Sequence, residues 1–152
     1  EARELMTALR KTLKTNDCAL IGTDLKKDLQ TLINAYDDPT LVTAAFNLNL
    51  LARLNRELNA DFDLRNFKHK AIYNEIEGRI EMHLESLTTQ IVTLESLDLK
   101  VNFAVGETIH TENSYKFDAR DLAEMAHVTG FKLEKSWFDS RERFASNLFR
   151  AV

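Results

Sequence analysis

Cys18-Ala19-Leu20-Ile21-Gly22-Thr23-Asp24 is the stretch that decides the fold, a short apolar run that stops at a glycine and opens into polar residues. That shape predicts a buried strand over Cys18 to Gly22 whose C-terminal end leads into a loop. Upstream, Leu5, Met6, Leu9 and Leu13 recur at helical spacing, so residues 1 to about 14 are expected to form an amphipathic helix, broken by Thr15-Asn16-Asp17. A helix feeding a buried strand is an α/β pattern. Cys18 lies inside the apolar run and, as the single cysteine, cannot form an internal disulfide. It reads as a buried structural thiol ahead of a catalytic nucleophile.

Downstream, Asp28 is placed to cap a short helix carrying Leu29, Leu32 and Ile33, which stops near Tyr36-Asp37-Asp38-Pro39 because proline disfavours helix at the residue before it. With Asp38 or Thr40 as its start, a long helix runs to about Asn59, its apolar positions Leu41, Ala44, Ala45, Leu48, Leu51, Ala52 and Leu58 keeping to one broad face. Asp61-Phe62-Asp63 begins a short helix through Phe67, after which the apolar period changes from about four to two. Strands are predicted at Lys70 to Asn74, Arg79 to Ser86, Gln90 to Glu95, Lys100 to Ala104 and Ile109 to Glu112, with tight turns at Glu77-Gly78 and Thr88-Thr89. A helix from Asp118 to His127, closed at Gly130, and two strands, Phe131 to Trp137 and Phe144 to Val152, complete the pattern.

Composition narrows the function classes. With 29% charged residues spread along 152 positions and a net charge of -4, no continuous basic surface forms, and nucleic acid is not an expected partner. No apolar run approaches the roughly 20 residues that span a bilayer, and Glu1-Ala2-Arg3-Glu4 lacks a secretory signal, so a cytoplasmic protein without membrane contact is expected. The first residue is not methionine and already lies in a helical pattern, which points to an excised domain. His69, His83, His110 and His127 show no metal-binding spacing, so no metal is expected. Glycines stand only at 22, 78, 106 and 130, which leaves no Gly-x-Gly or phosphate loop, and the cradle of any nucleotide-like cofactor falls outside this sequence. Ser86 and Ser114 lack a glycine-flanked elbow, giving hydrolase chemistry no support.

Two segments stand out as polar where structure alone does not ask for it. Tyr36-Asp37-Asp38-Pro39-Thr40-Leu41-Val42-Thr43-Ala44-Ala45-Phe46-Asn47-Leu48-Asn49 places Thr43, Asn47 and Asn49 in a helix interior that better helix formers usually fill. Turn and cap chemistry is an equally ordinary account of it. Gly106-Glu107-Thr108-Ile109-His110-Thr111-Glu112-Asn113-Ser114-Tyr115-Lys116 is dense in hydrogen-bonding side chains, as a solvated loop also is. Together with Ile21-Gly22-Thr23-Asp24-Leu25-Lys26-Lys27-Asp28, Asn55-Arg56-Glu57-Leu58, Phe67-Lys68-His69 and Arg79-Ile80-Glu81-Met82-His83-Leu84, they resemble the histidine-specific N-methyltransferase family of ergothioneine synthesis over essentially the whole chain.

The resemblance implies the C-terminal half of a Rossmann-like S-adenosylmethionine-dependent methyltransferase carrying an inserted α/β substrate-binding domain, which as an isolated fragment would be α+β. Residues 1–26 would be a helix and the fifth strand of the methyltransferase domain, 27–116 the substrate-recognition domain, and 117–152 the closing helix and last two strands. The methyl donor's site would lie mostly upstream, leaving the fragment inactive alone. By resemblance, Tyr36 hydrogen-bonds the amino acid's carboxylate, Thr43 sits near the imidazole through water, Glu112 and Ser114 hydrogen-bond the two ring nitrogens, and Met82 packs beside the ring. Met82 also shares the face of Ile80 and Leu84 and, on pattern alone, reads equally as core. The implied partner is a small amino acid, with self-association through the exposed fifth strand as a further expectation. Another aromatic amino acid such as a tryptophan derivative, or a stand-alone module binding a small metabolite, are the alternatives.

Overall fold

The computed structural model describes residues 1–152. The opening pattern becomes α1 (Ala2–Thr12), which buries Met6. The apolar run becomes β1 (Cys18–Asp24), extended at its polar end. α2 (Leu29–Tyr36) starts where the Asp28 carboxylate accepts the Thr31 amide hydrogen at 2.8 Å. α3 (Val42–Leu58) is capped from further back, by Asp38, which accepts from the amides of Val42 and Thr43 at 3.1 and 2.8 Å. Both acids satisfy amides that a helix start leaves unpaired.

The period-two segments form β2 (Phe67–Asn74), β3 (Arg79–Ser86), β4 (Gln90–Leu94), β5 (Leu99–Phe103) and β6 (Thr108–Tyr115). α4 (Ala119–Val128) opens on a capping box in which Asp118 and Asp121 each accept the other's backbone amide hydrogen. Gly130, at φ +79°, turns the chain into β7 (Phe131–Phe138), and β8 (Phe144–Ala151) follows. The protein is mixed α/β, with four α-helices and antiparallel strand pairs. None of its helices is long and apolar enough to cross a membrane.

Residues 1–27 and 115–152 make one compact unit and residues 28–114 another. In the first, the sheet runs in the order β1-β8-β7. Ile21 of β1 and Phe149, Ala145 and Ala151 of β8 face Met6 of α1 and Leu122, Met125 and Ala126 of α4 in one apolar cluster. Asn147 crosses the sheet's middle within this face, donating to Thr23 Oγ1 at 2.9 Å and accepting from the Ser136 hydroxyl at 2.6 Å. The opposite face is bare. Leu20 is 66% exposed, Gly22 is open, and the Phe144 ring lies across Gly22 so closely that a Cβ there would stand 2.6 Å from it.

Two expectations therefore fail at β1. The strand is covered on one face only, and Cys18 is an exposed thiol rather than a buried one. An apolar run of this length reads the same whether one or both faces are packed, and Cys18, Leu20 and Gly22 share the open side. β1 is also an edge strand: β8 pairs with one side, and on the other Phe117 alone closes the end, donating to the Asp24 carbonyl and accepting from the Lys26 amide.

In the second unit, β2, β3 and β6 form one sheet and β4 with β5 a hairpin. The β2–β3 register pairs Ala71 with Met82 and Tyr73 with Ile80, so these side chains share the face covered by α2, with Leu32 and Tyr36 packed there. Leu84 on the same strand joins Leu51 of α3 and an aromatic trio, Phe62, Phe67 and Phe103, whose ring centroids lie 5.4 to 6.3 Å apart. The expected short helix through Phe67 shrinks to a single 3-10 turn, Leu64–Asn66, because Phe67 is already a buried residue of β2. The reverse face carries charge, with Lys68 and Lys70 on Glu85 at 2.8 and 2.7 Å and Arg79 on Glu81 at 2.8 Å.

Candidate functional site

A recess of about 280 Å³ opens between α3 and the middle of β3 and β6. That volume is at the small end of ligand pockets, which run from about 300 to 1,000 Å³, and suits one amino acid. α3 supplies Phe46, Asn47, Asn49, Leu50 and Arg53, β3 supplies Met82, and β6 supplies Thr111 and Glu112. The two asparagines that are poor choices for a helix interior thus line a cavity.

Thr111 and Glu112 are consecutive yet line the same recess, while Asn113 turns away to place its Oδ1 2.8 Å from Nε2 of His110. Further along β6, Ser114 meets Tyr36, with 2.6 Å between the two hydroxyl oxygens. The polar segment expected as a loop after Glu112 is therefore strand through Tyr115. Its backbone is held by the sheet, while Thr108, His110 and Glu112 keep exposed side chains.

Of the five residues singled out by sequence, Met82 and Glu112 line the recess, and Tyr36 and Ser114 are bonded to each other beside it. Met82 links the two pairs, because it also packs in the apolar cluster with Tyr36. Thr43 is not among the recess-lining residues; it stands in the first turn of α3 with its amide on Asp38. The carboxyl of Asp38 is held well below the usual range by the Thr40 hydroxyl and by the Thr43 and Val42 amides.

Sequence reasoning missed the pair that braces this wall. Asn47 is buried and its amide nitrogen donates to the His83 carbonyl at 3.1 Å and to His69 Nδ1 at 3.0 Å. His69 Nε2 lies 2.7 Å from the Tyr36 carbonyl oxygen. A signal was present, since His69 alternates with Phe67, Ala71 and Tyr73 on the covered face of β2.

The histidines without metal spacing in sequence are partly gathered by the fold. His83 and His110 stack at 4.6 Å, and with Glu81 they bring potential ligand atoms within 4.8 Å of one another. A tetrahedral ion with ligands at about 2.1 Å holds them only about 3.4 Å apart, and Glu81 already receives Arg79 and Asn74. Within the trio Glu81 lies 3.3 Å from His83 Nε2, and His83 Nδ1 is buried without a partner. Burial holds the His83 imidazole below its ordinary value, against the pull of Glu81 and with help from His110. A neutral His83 contributes stability above pH about 6.5 that is lost as pH falls, because the unfolded chain takes up the proton first. Replacing His83 with Phe keeps a ring over His110 and removes that linkage. Thermal unfolding followed from pH about 7.5 to about 5 is expected to show a wild-type decline that His83→Phe lessens; parallel curves refute it.

Comparison with known proteins shows the family of the chain. The family described as histidine-specific, S-adenosylmethionine-dependent methyltransferase matches residues 1–151. The histidine N-alpha-methyltransferase of Mycolicibacterium smegmatis is 46% identical over 145 residues, covering 95% of this chain and 45% of that protein. The enzyme of the same description from Mycobacterium tuberculosis is 43% identical over the same length and shares. Ergothioneine biosynthesis protein 1 of Schizosaccharomyces pombe is 26% identical over 133 residues, 87% of this chain and 17% of that protein. The chain thus spans less than half the length of these two mycobacterial relatives. It belongs to the histidine-specific, S-adenosylmethionine-dependent methyltransferase family.

Proposed function

We propose that this chain is the amino-acid-recognition part of an enzyme that methylates the α-amine of L-histidine. Residues 27–116 hold the substrate, and residues 1–26 with 117–152 complete a Rossmann-like methyltransferase domain whose fifth strand is β1. Met82 and Glu112 line one recess, and Met82 packs with Tyr36, whose hydroxyl meets that of Ser114; this adjacency supports the reading most directly. A neutral imidazole has one N–H donor and one bare nitrogen. Glu112 accepts the donor. On binding, Ser114 gives its hydroxyl hydrogen to the bare nitrogen, and Tyr36 turns its own from Ser114 to the substrate carboxylate. Met82 packs beside the ring, and Thr43 reaches it through water.

The methyl donor supplies the transferable group. The residues present do not fit a donor cradle: Gly22 lies within β1, and Gly78, Gly106 and Gly130 lie in turns that lead into strands, so no glycine opens a strand-to-helix turn. The contribution of this chain to rate is therefore to orient the substrate, not to activate a nucleophile. The open edge of β1 is the place where a further strand or a second copy pairs. Calorimetric titration of the complete protein with L-histidine and then L-tryptophan tests the assignment. Heat with histidine and weaker binding of tryptophan are expected; no heat with histidine removes it.

A further inference from the structure

We infer that His69 is a positioning residue for histidine binding, holding Tyr36 in place through its backbone, an inference that rests on the recognition role proposed for Tyr36 and Ser114. The bonds themselves fix the proton. Nδ2 of Asn47 can only donate, so His69 Nδ1 accepts, and the hydrogen must sit on Nε2, where it is given to the Tyr36 carbonyl oxygen at 2.7 Å. Asn47 cannot be reversed, because the same nitrogen also donates to the His83 carbonyl oxygen.

This places one imidazole between three elements. Tyr36 is the last residue of α2, where carbonyl oxygens no longer have a helical partner. His69, projecting from β2, satisfies that oxygen and thereby sets where α2 ends. The Tyr36 hydroxyl then falls 2.6 Å from Ser114 Oγ. On the other side of the imidazole, Asn47 belongs to α3 and lines the recess. A displacement of His69 moves Tyr36 and the recess wall together, without His69 touching the substrate.

Glutamine and asparagine separate the two bonds. The amide nitrogen of Gln extends about as far as Nε2 and can donate to the Tyr36 carbonyl oxygen, whereas the shorter Asn reaches only the Nδ1 position and keeps the bond to Asn47. In the complete enzyme, His69→Ala and His69→Asn are expected to raise KM for L-histidine by about tenfold, the loss of a buried hydrogen bond, with kcat at saturation and KM for the methyl donor nearly unchanged. His69→Gln is expected to restore KM to within about threefold of wild type. A merely structural role would order the variants by thermal stability, so unfolding temperatures are measured alongside. A wild-type KM in His69→Ala, or Gln no better than Asn at matched stability, overturns the inference. If His69→Ala does not fold, the Gln and Asn pair decides alone. Absence of histidine binding by the unmodified enzyme is a separate result, which removes the recognition role and this inference with it.

Discussion

Glu112→Ala in the complete enzyme is expected to weaken L-histidine binding between about tenfold and a hundredfold, the range for losing a hydrogen bond to a charged group. The expectation follows from what an imidazole brings into the recess. Its N–H must lose water to enter beside Met82, which is 4% exposed, and without Glu112 the recess offers it no charged acceptor. Glu112→Gln keeps an acceptor oxygen without the charge and is expected to fall between. The sharper readout is selectivity. A phenyl ring leaves Glu112 desolvated and unpaired in the wild type, a penalty that disappears with alanine. The ratio of histidine to phenylalanine affinity is therefore expected to narrow in Glu112→Ala by more than histidine affinity alone explains. An unchanged ratio would show that Glu112 does not read the ring.

The framework of this site was legible in the sequence where one physical signal dominated. β3 matches its predicted limits because Ile80, Met82 and Leu84 alternate against charged neighbours, and only one register buries the first set. α2 and α3 were legible through Asp28 and Asp38, acids placed where helix starts need acceptors. β6 was not, because its period of two is carried by polar residues, so hydrophobic alternation has nothing to register. Cys18 was misjudged for a related reason. Burial of a strand face depends on what other segments cover it, and the apolar character of Leu20 says nothing about whether that cover exists.

The recess divides in the same way. Tyr36, Met82, Glu112 and Ser114 come from family resemblance, since their types alone fit core or loop equally well. The brace behind them was in principle readable without it. A histidine alternating with Phe67 and Ala71 must find polar partners on a covered face, and Asn47 is the out-of-place polar residue of the helix that covers it. What the sequence lacks is the crossing of α3 over β2, a long-range packing decision that joins positions 47 and 69.

Asp24→Ala is expected to be among the most destabilising single changes in the unit formed by residues 1–27 and 115–152, at about 1.5–3 kcal/mol, the cost of losing a hydrogen bond between charged groups. Lys116 is 2% exposed, and its ammonium lies 3.0 Å from the Asp24 carboxylate, which Lys27 also reaches. Burial pushes the Asp24 carboxyl up, but hydrogen bonds from Lys27 and Lys116 outweigh it and leave the group below its ordinary value. The pair's contribution is thus present above pH about 4 and is lost as pH falls further, when the carboxylate is protonated. The two partners are not equivalent. Lys116→Met removes the more deeply buried charge and leaves Asp24 with Lys27 and partial solvent, so it is expected to cost less than Asp24→Ala. Adding Lys116→Met to Asp24→Ala is expected to cost less than the two single changes added together, because the buried ammonium goes with its carboxylate. Denaturant midpoints of the three variants decide this, and an additive double mutant would mean that the pair is not coupled. The position gives the result a structural meaning: Asp24 ends β1 where Phe117 closes the strand's free edge, so loss of the pair loosens the segment that pins the chain's return to that edge.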